Sequence, residues 1–156
     1  MKSKAVGVIL SPYRRIGGTI LHMPPLFARV QTDGSFRKSL PRARIAALLF
    51  DKAGDFKASD MCPIIATSST ETEWASVAAG LQFAMEHGED VIAIENDNLG
   101  VAHFLGSTKH EYARFYQNEI EKLASQTLWT GIRWIPREYN YADRLFTMHD
   151  SGKRDP

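Results

Sequence analysis

The chain has 156 residues, one domain's worth and enough for a substantial core. Its 44% hydrophobic and 24% charged residues are those of an ordinary globular protein, and a formal net charge of +1 excludes a global basic field, so any nucleic-acid contact must be local. The single cysteine, Cys62, excludes an intramolecular disulfide and fits a reducing compartment, and the five scattered histidines show no zinc-ligand spacing. No run approaches the roughly 18 apolar residues of a membrane span. The apolar residues 5–10 behind Lys2 and Lys4 are cut off by Pro12 and Arg14-Arg15, too short for a secretory signal, so a cytoplasmic protein with no membrane partner is expected.

Residues 5–10 and 18–22 flank Arg14-Arg15-Ile16-Gly17-Gly18, and a short hairpin is expected there. Pro24-Pro25 closes this N-terminal extension, residues 1–25. Residues 26–31 read as a strand that ends in a Thr32-Asp33-Gly34 turn; residues 44–51 read as a second, buried strand and 56–61 as a third, after the turn Lys52-Ala53-Gly54-Asp55. The short connections predict an antiparallel meander.

The period then changes. Thr70 can cap a helix with Glu73 as its capping-box acid, and Trp74, Val77, Ala78, Leu81 and Met85 form an apolar stripe that Gly88 ends. Residues 91–94 are a compact apolar strand, and a strand–helix–strand passage implies parallel pairing. A short helix is expected over 98–105 and a longer one over 108–125, with Tyr112, Phe115, Tyr116, Ile120 and Leu123 on its inner face. Residues 132–135 predict another strand, 142–148 a last helix, and 149–156 a disordered tail. The expected fold is α/β: a five-stranded mixed sheet, an antiparallel meander plus two parallel strands, flanked by helices.

Four carboxylates stand out against this layout: Asp33, Glu73, Asp97 and Asp143. Asp33 and Asp97 lie at the ends of apolar runs, where an acid is costly to desolvate unless a cation or partner compensates it. Each acid has a bland alternative when taken singly. Asp33 suits a turn, Glu73 a capping box, and Asp97 and Asp143 helix caps. Taken together, four acids at element ends or on a helix face suit a pair of divalent cations held by oxygen ligands.

In order, Thr32-Asp33-Gly34-Ser35, Glu73 before Gly80-Leu81, Asp97, and Asn140-Tyr141-Ala142-Asp143-Arg144-Leu145 resemble the motifs of the ribonuclease H family, type 1 in layout. Intervals of 40, 24 and 46 residues separate the acids, and Trp134-Ile135-Pro136-Arg137-Glu138 resembles the family's last strand and its exit. The resemblance covers residues 26–148. It implies a ribonuclease H-like domain that cleaves the RNA strand of RNA–DNA hybrids with two Mg²⁺ or Mn²⁺ ions. It further implies that Asp33 bridges both ions, that Glu73 and Asp97 hold the one near the leaving group, and that Asp143 holds the water-activating one. Gly34, Ser35, Ser69, Thr70, Asn98 and Arg137 are the implied substrate contacts. Ser69 and Thr70 stand where the family commonly has asparagines that touch RNA 2′-hydroxyls; no histidine lies between Trp129 and Asp143, where many members carry one, and Arg137 can substitute as a phosphate contact. The basic protrusion of some bacterial members is absent between Asp97 and Asp143. A monomer acting on a hybrid is expected; the alternatives are a non-catalytic nucleic-acid-binding module on the same fold, or a relative acting on other nucleic acids.

Overall fold

The computed structural model of the chain describes residues 11–37, 42–103 and 110–154, with side chains described up to residue 151 except that of Arg42. In chain order the elements are β1 (Arg14–Gly17), β2 (Ala28–Arg37), β3 (Arg42–Phe50), β4 (Phe56–Ile64), α1 (Ser69–Glu86), β5 (Val91–Asn96), α2 (Leu99–Ala102), α3 (Glu111–Ala124), β6 (Trp129–Trp134), a 3₁₀ turn (Arg137–Tyr139) and α4 (Asp143–Arg154). Among the described residues one sheet joins six strands in the order β1-β6-β5-β2-β3-β4. The expected meander is β2-β3-β4, and β5 and β6 extend it in parallel from the other side of β2.

The sheet gains its sixth strand from the N-terminal extension. The hairpin expected there is not what the described part forms: Arg14–Gly17, expected at its tip, pair antiparallel with β6, while residues 19–22 form bends; residues 5–10 lie outside the described residues. Tyr13, Met23 and Phe27 then pack on Val91, Ala93 and Trp129, so the extension covers one face of the parallel half of the sheet. Trp129, ahead of the strand expected over 132–135, begins β6 and is buried against this segment. At the other end, residues 149–154 continue α4 instead of forming the expected loose tail.

The main core lies on the opposite face, where α1 and α3 cover Val30, Ala47, Leu49, Ile92, Ile94 and Ile132 with Trp74, Val77, Leu81 and Ile120. Covered on both faces, β5 is buried along its whole length, as parallel strands commonly are. On α3 the buried positions are Ala113, Gln117, Ile120 and Ala124, and Phe115, expected inside, is 59% exposed. Tyr112, Tyr116 and Leu123, also expected inside, are partly buried against that core, and α3 packs directly on α1. A smaller cluster of Ala46, Ala142 and Phe146, with Leu48 and Met61, seats α4 on the same sheet face as the N-terminal segment. Among the described residues no helix is long and apolar enough to cross a membrane.

Two features of α1 set its position. Its cap is Ser68, whose Oγ accepts from the Glu71 amide at 3.1 Å, while Glu71 accepts from the Thr67 amide at 2.8 Å. The expected Thr70–Glu73 capping box is therefore displaced by two residues, and Glu73 is left free of that duty. Gly80 permits close approach to β2: a Cβ there would stand 2.3 Å from Thr32 Cγ2 and 3.6 Å from Val30 Cγ2. Gly80→Ala is accordingly expected to lower stability by about 1–3 kcal/mol through overpacking, read as a fall in the denaturant midpoint at unchanged m-value.

Candidate active site

The pairing of β2 changes along its length. With β3 it continues through Asp33↔Ala46 to Arg37↔Arg42, but with β5 it stops at Thr32↔Asn96. Thr32-Asp33-Gly34 is thus not the turn the sequence suggested. Asp33 is strand backbone whose β5 flank has just opened, and Asp97 is the first residue after β5. Two carboxylates consequently meet where a parallel neighbour leaves the sheet.

Glu73 joins them from α1. Here too a glycine sets the distance: a Cβ on Gly34 would stand 2.8 Å from Thr72 Cγ2 and 2.9 Å from the Thr72 carbonyl. The Gly34 amide donates to Glu73 Oε1 at 3.1 Å. One carboxylate oxygen each of Asp33, Glu73 and Asp97 all lie within 4.8 Å of one another. Asp143, first residue of α4, lines the same cleft and is close enough to Asp33 to raise its pKa. A cleft of about 380 Å³ is lined by Asp33, Gly34, Ser35, Glu73, Asp97, Arg137 and Asp143.

Every residue lining that cleft is one the sequence singled out. Ser69 and Thr70 lie outside it, exposed on the first turn of α1. Asn98 does something different. Its Oδ1 accepts from the Val101 amide at 3.0 Å and caps α2, so Asp97 is not the cap of that helix. The residues that fix Asp97 were not among those expected to matter. Asn140 Nδ2 donates to Asp97 Oδ2 at 3.3 Å and to the Thr32 carbonyl at 2.9 Å; Trp134 Nε1 donates to the Asp97 carbonyl at 3.0 Å. Asn96 Nδ2 donates to Thr32 Oγ1 at 2.9 Å and to the Thr32 carbonyl at 3.1 Å. The signal available for Asn140 was its place in the Asn-x-Ala-Asp motif, and its amide serves the acid after β5.

The electrostatics are those of crowded acids that meet no buried countercharge among the described residues. Burial, then the charges of Glu73 and Asp97, then the hydrogen bond and charge of Asp143 push Asp33 up to about 9. Burial and the charge of Asp97 raise Glu73 to about 7, against hydrogen bonds from Asp33, Asn96 and the Gly34 amide. Burial also raises Asp97, opposed by the Asn140 amide and Arg137. Arg137, the basic residue that lines the cleft, is 80% exposed and 4.0 Å from Asp143, a solvated pair of little strength. At neutral pH the cluster therefore retains protons that a divalent cation would displace. An all-carboxylate donor set of this kind fits hard cations such as Mg²⁺ and Mn²⁺.

The family model described as reverse transcriptase-like, a ribonuclease H-like family, matches residues 31–149. The chain belongs to the ribonuclease H family. No curated protein sequence matches it. Among solved structures, the N-terminal RNase H domain of a Mycobacterium tuberculosis protein, fused to maltose binding protein, is 22% identical, with a TM-score of 0.69 over 84% of this chain and 99% of that one. RNase H1 from Halobacterium salinarum is 22% identical, TM-score 0.67, covering 76% and 92%. LC11-RNase H1, isolated from compost and solved with an RNA/DNA hybrid, is 18% identical, TM-score 0.66, over the same shares. These likenesses show the ribonuclease H fold.

The raised pKa values give the metal-free protein a characteristic pH dependence. A carboxyl whose folded pKa exceeds its unfolded value stabilises fully below the unfolded pKa and loses that contribution as pH rises through the folded one. For Asp33 that window runs from about 4 to about 9. In EDTA, stability is expected to fall by about 1–2 kcal/mol between pH 7 and pH 9, where unperturbed carboxylates no longer titrate. Asp33→Asn is expected to flatten this slope in denaturant melts taken across that range.

Proposed function

We propose that this protein is a metal-dependent endonuclease that hydrolyses the RNA strand of RNA–DNA hybrids. The observation that carries the reading is the convergence of three carboxylates within 4.8 Å, with a fourth lining the same cleft, at the rim of a ribonuclease H-like sheet. The hybrid held by LC11-RNase H1, a protein of the same fold, supports the choice of substrate.

Asp33 is the shared member of the cluster, since Glu73, Asp97 and Asp143 all act on its carboxyl and the first two lie within 4.8 Å of it. Asp33, Glu73 and Asp97 would hold one cation, and Asp33 with Asp143 a second. A pair of Mg²⁺ or Mn²⁺ ions bound there would lower the pKa of an attacking water and neutralise charge on the leaving 3′ oxygen. The protein's own contribution is to bring the ligands together in advance. Asn140 and Trp134 hold Asp97 by side chain and carbonyl, and the Gly34 amide holds Glu73. Arg137, exposed at the rim of the cleft, can pair with a phosphate of the bound strand. The hydroxyls of Ser35 in the cleft and of Ser69 and Thr70 on the exposed start of α1 are suited to contact RNA 2′-hydroxyls.

Purified protein incubated with labelled hybrid is expected to cut the RNA strand with Mg²⁺ or Mn²⁺ and to leave the DNA strand intact. Asp33→Asn should lower the rate by about 10³-fold or more while retaining hybrid affinity. Folded wild-type protein that binds hybrid without turnover in either metal would falsify the reading in favour of a binding module. Preferential cutting of double-stranded RNA or single strands would reassign the substrate.

A further inference from the structure

Two residues before Asp97, Glu95 is 1% exposed yet takes no part in the acid cluster. Its Oε1 accepts from Arg29 at 2.9 Å and from Gln31 Nε2 at 3.1 Å, and its Oε2 accepts from the Tyr13 hydroxyl at 2.7 Å and from Arg133 Nε at 3.0 Å. The Arg29 guanidinium lies over the Phe50 ring and that of Arg133 over the Tyr13 ring, which restrains both cations. A carboxylate with this set of donors is an acceptor only, so it dictates the orientation of the neighbouring amide: the Gln31 NH₂ must face Glu95, and its oxygen must point the other way.

That oxygen meets the chain segment leading into α4. Gln31 Oε1 accepts from the Tyr141 amide at 2.8 Å, and Gln31 Nε2 donates to the Tyr139 carbonyl at 3.0 Å as well as to Glu95. The two residues gripped in this way flank Asn140, which itself reaches Thr32 and Asp97. Asp143 follows two residues after Tyr141. Gln31 is 3% exposed and does not line the cleft, and its amide is wholly engaged in this grip and in Glu95.

We infer that Gln31, oriented by Glu95, is a positioning residue that clamps residues 139–141 and so sets Asn140 against Asp97 and Asp143 against Asp33. The N-terminal extension takes part, because Tyr13 supplies one of the bonds that fix Glu95. The inference rests on the acid cluster being the reacting centre. Gln31→Met, close in volume and unable to make any of these bonds, tests it on the full chain. Titrated calorimetrically, Mn²⁺ should bind about 10–100-fold more weakly, the range typical when an outer-shell partner is lost, and kcat on hybrid should fall with little change in KM. In the metal-free variant the Tyr141 amide should exchange its hydrogen at least about tenfold faster. Ile120→Val, which loosens the main core at a distance, should leave Mn²⁺ affinity unchanged and so separates positioning from general destabilisation.

Unchanged Mn²⁺ affinity in folded Gln31→Met overturns the inference. If wild-type protein binds no Mn²⁺, the nuclease reading fails by itself, and the clamp is judged on exchange alone: faster exchange at Tyr141 upholds it and unchanged exchange sinks it. If Gln31→Met does not fold, the wild-type protein decides, since a clamped Tyr141 amide must be protected like those of α4 and a freely exchanging one refutes the clamp.

Discussion

Carboxylates brought this close in a half-desolvated cleft repel one another, and the rest of the site follows from how the protein answers that repulsion. One answer is protonation: Asp33 and Glu73 are raised to about 9 and about 7 because burial and neighbouring charge both oppose ionisation. The other is an external cation, which would displace those protons. Among the described residues the cluster meets no buried cation; Arg137, the basic residue lining the cleft, is solvent-exposed and at a long distance. Crowded acids without internal countercharge are a standing cost in stability, and the ribonuclease H fold of this chain bears it at a single point on the sheet rim.

Glu95 shows that this lack of countercharge is local. Two residues before Asp97, burial would by itself raise Glu95, but Arg29 and Arg133, with hydrogen bonds from Tyr13 and Gln31, hold it below the ordinary carboxylate range. Two acids at the end of β5 thus meet opposite fates. The inner one is compensated by the protein and serves structure; the outer one, just past the strand, is left short of positive charge and faces the cleft. This contrast gives Asp33, Glu73 and Asp97 their chemical meaning more firmly than proximity alone, because turns and helix ends gather acids without chemical consequence.

The N-terminal extension belongs to this arrangement. Strand β1 widens the sheet beyond β6, and Tyr13 packs its ring edge-on to Phe27, under the Arg133 guanidinium, while its hydroxyl meets Glu95. Burial and the neighbouring Glu95 raise the pKa of that hydroxyl, so it remains a donor. A segment that carries none of the family's motifs is thereby connected through Glu95 and Gln31 to the loop that starts α4.

The acids themselves were legible in the residues, since Asp33, Glu73, Asp97 and Asp143 stand in recognisable motifs and the change from alternating to helical period located the strands and helices around them. The capping-box assignment of Glu73 failed because Ser68 and Glu71 offer the same local chemistry two residues earlier, and capping motifs are ambiguous at that range. The turn assigned to Thr32-Asp33-Gly34 failed because Asp-Gly carries the same signal in a turn and in a strand whose neighbour has ended. What only tertiary structure decided is long-range: the short strand β1 joining the far edge of the sheet, the roles of Asn140, Trp134 and Gln31, and the separation of Glu95 from Asp97. None of these follows from local pattern, because each depends on which distant backbone groups and charges arrive beside a side chain once the strands are in register.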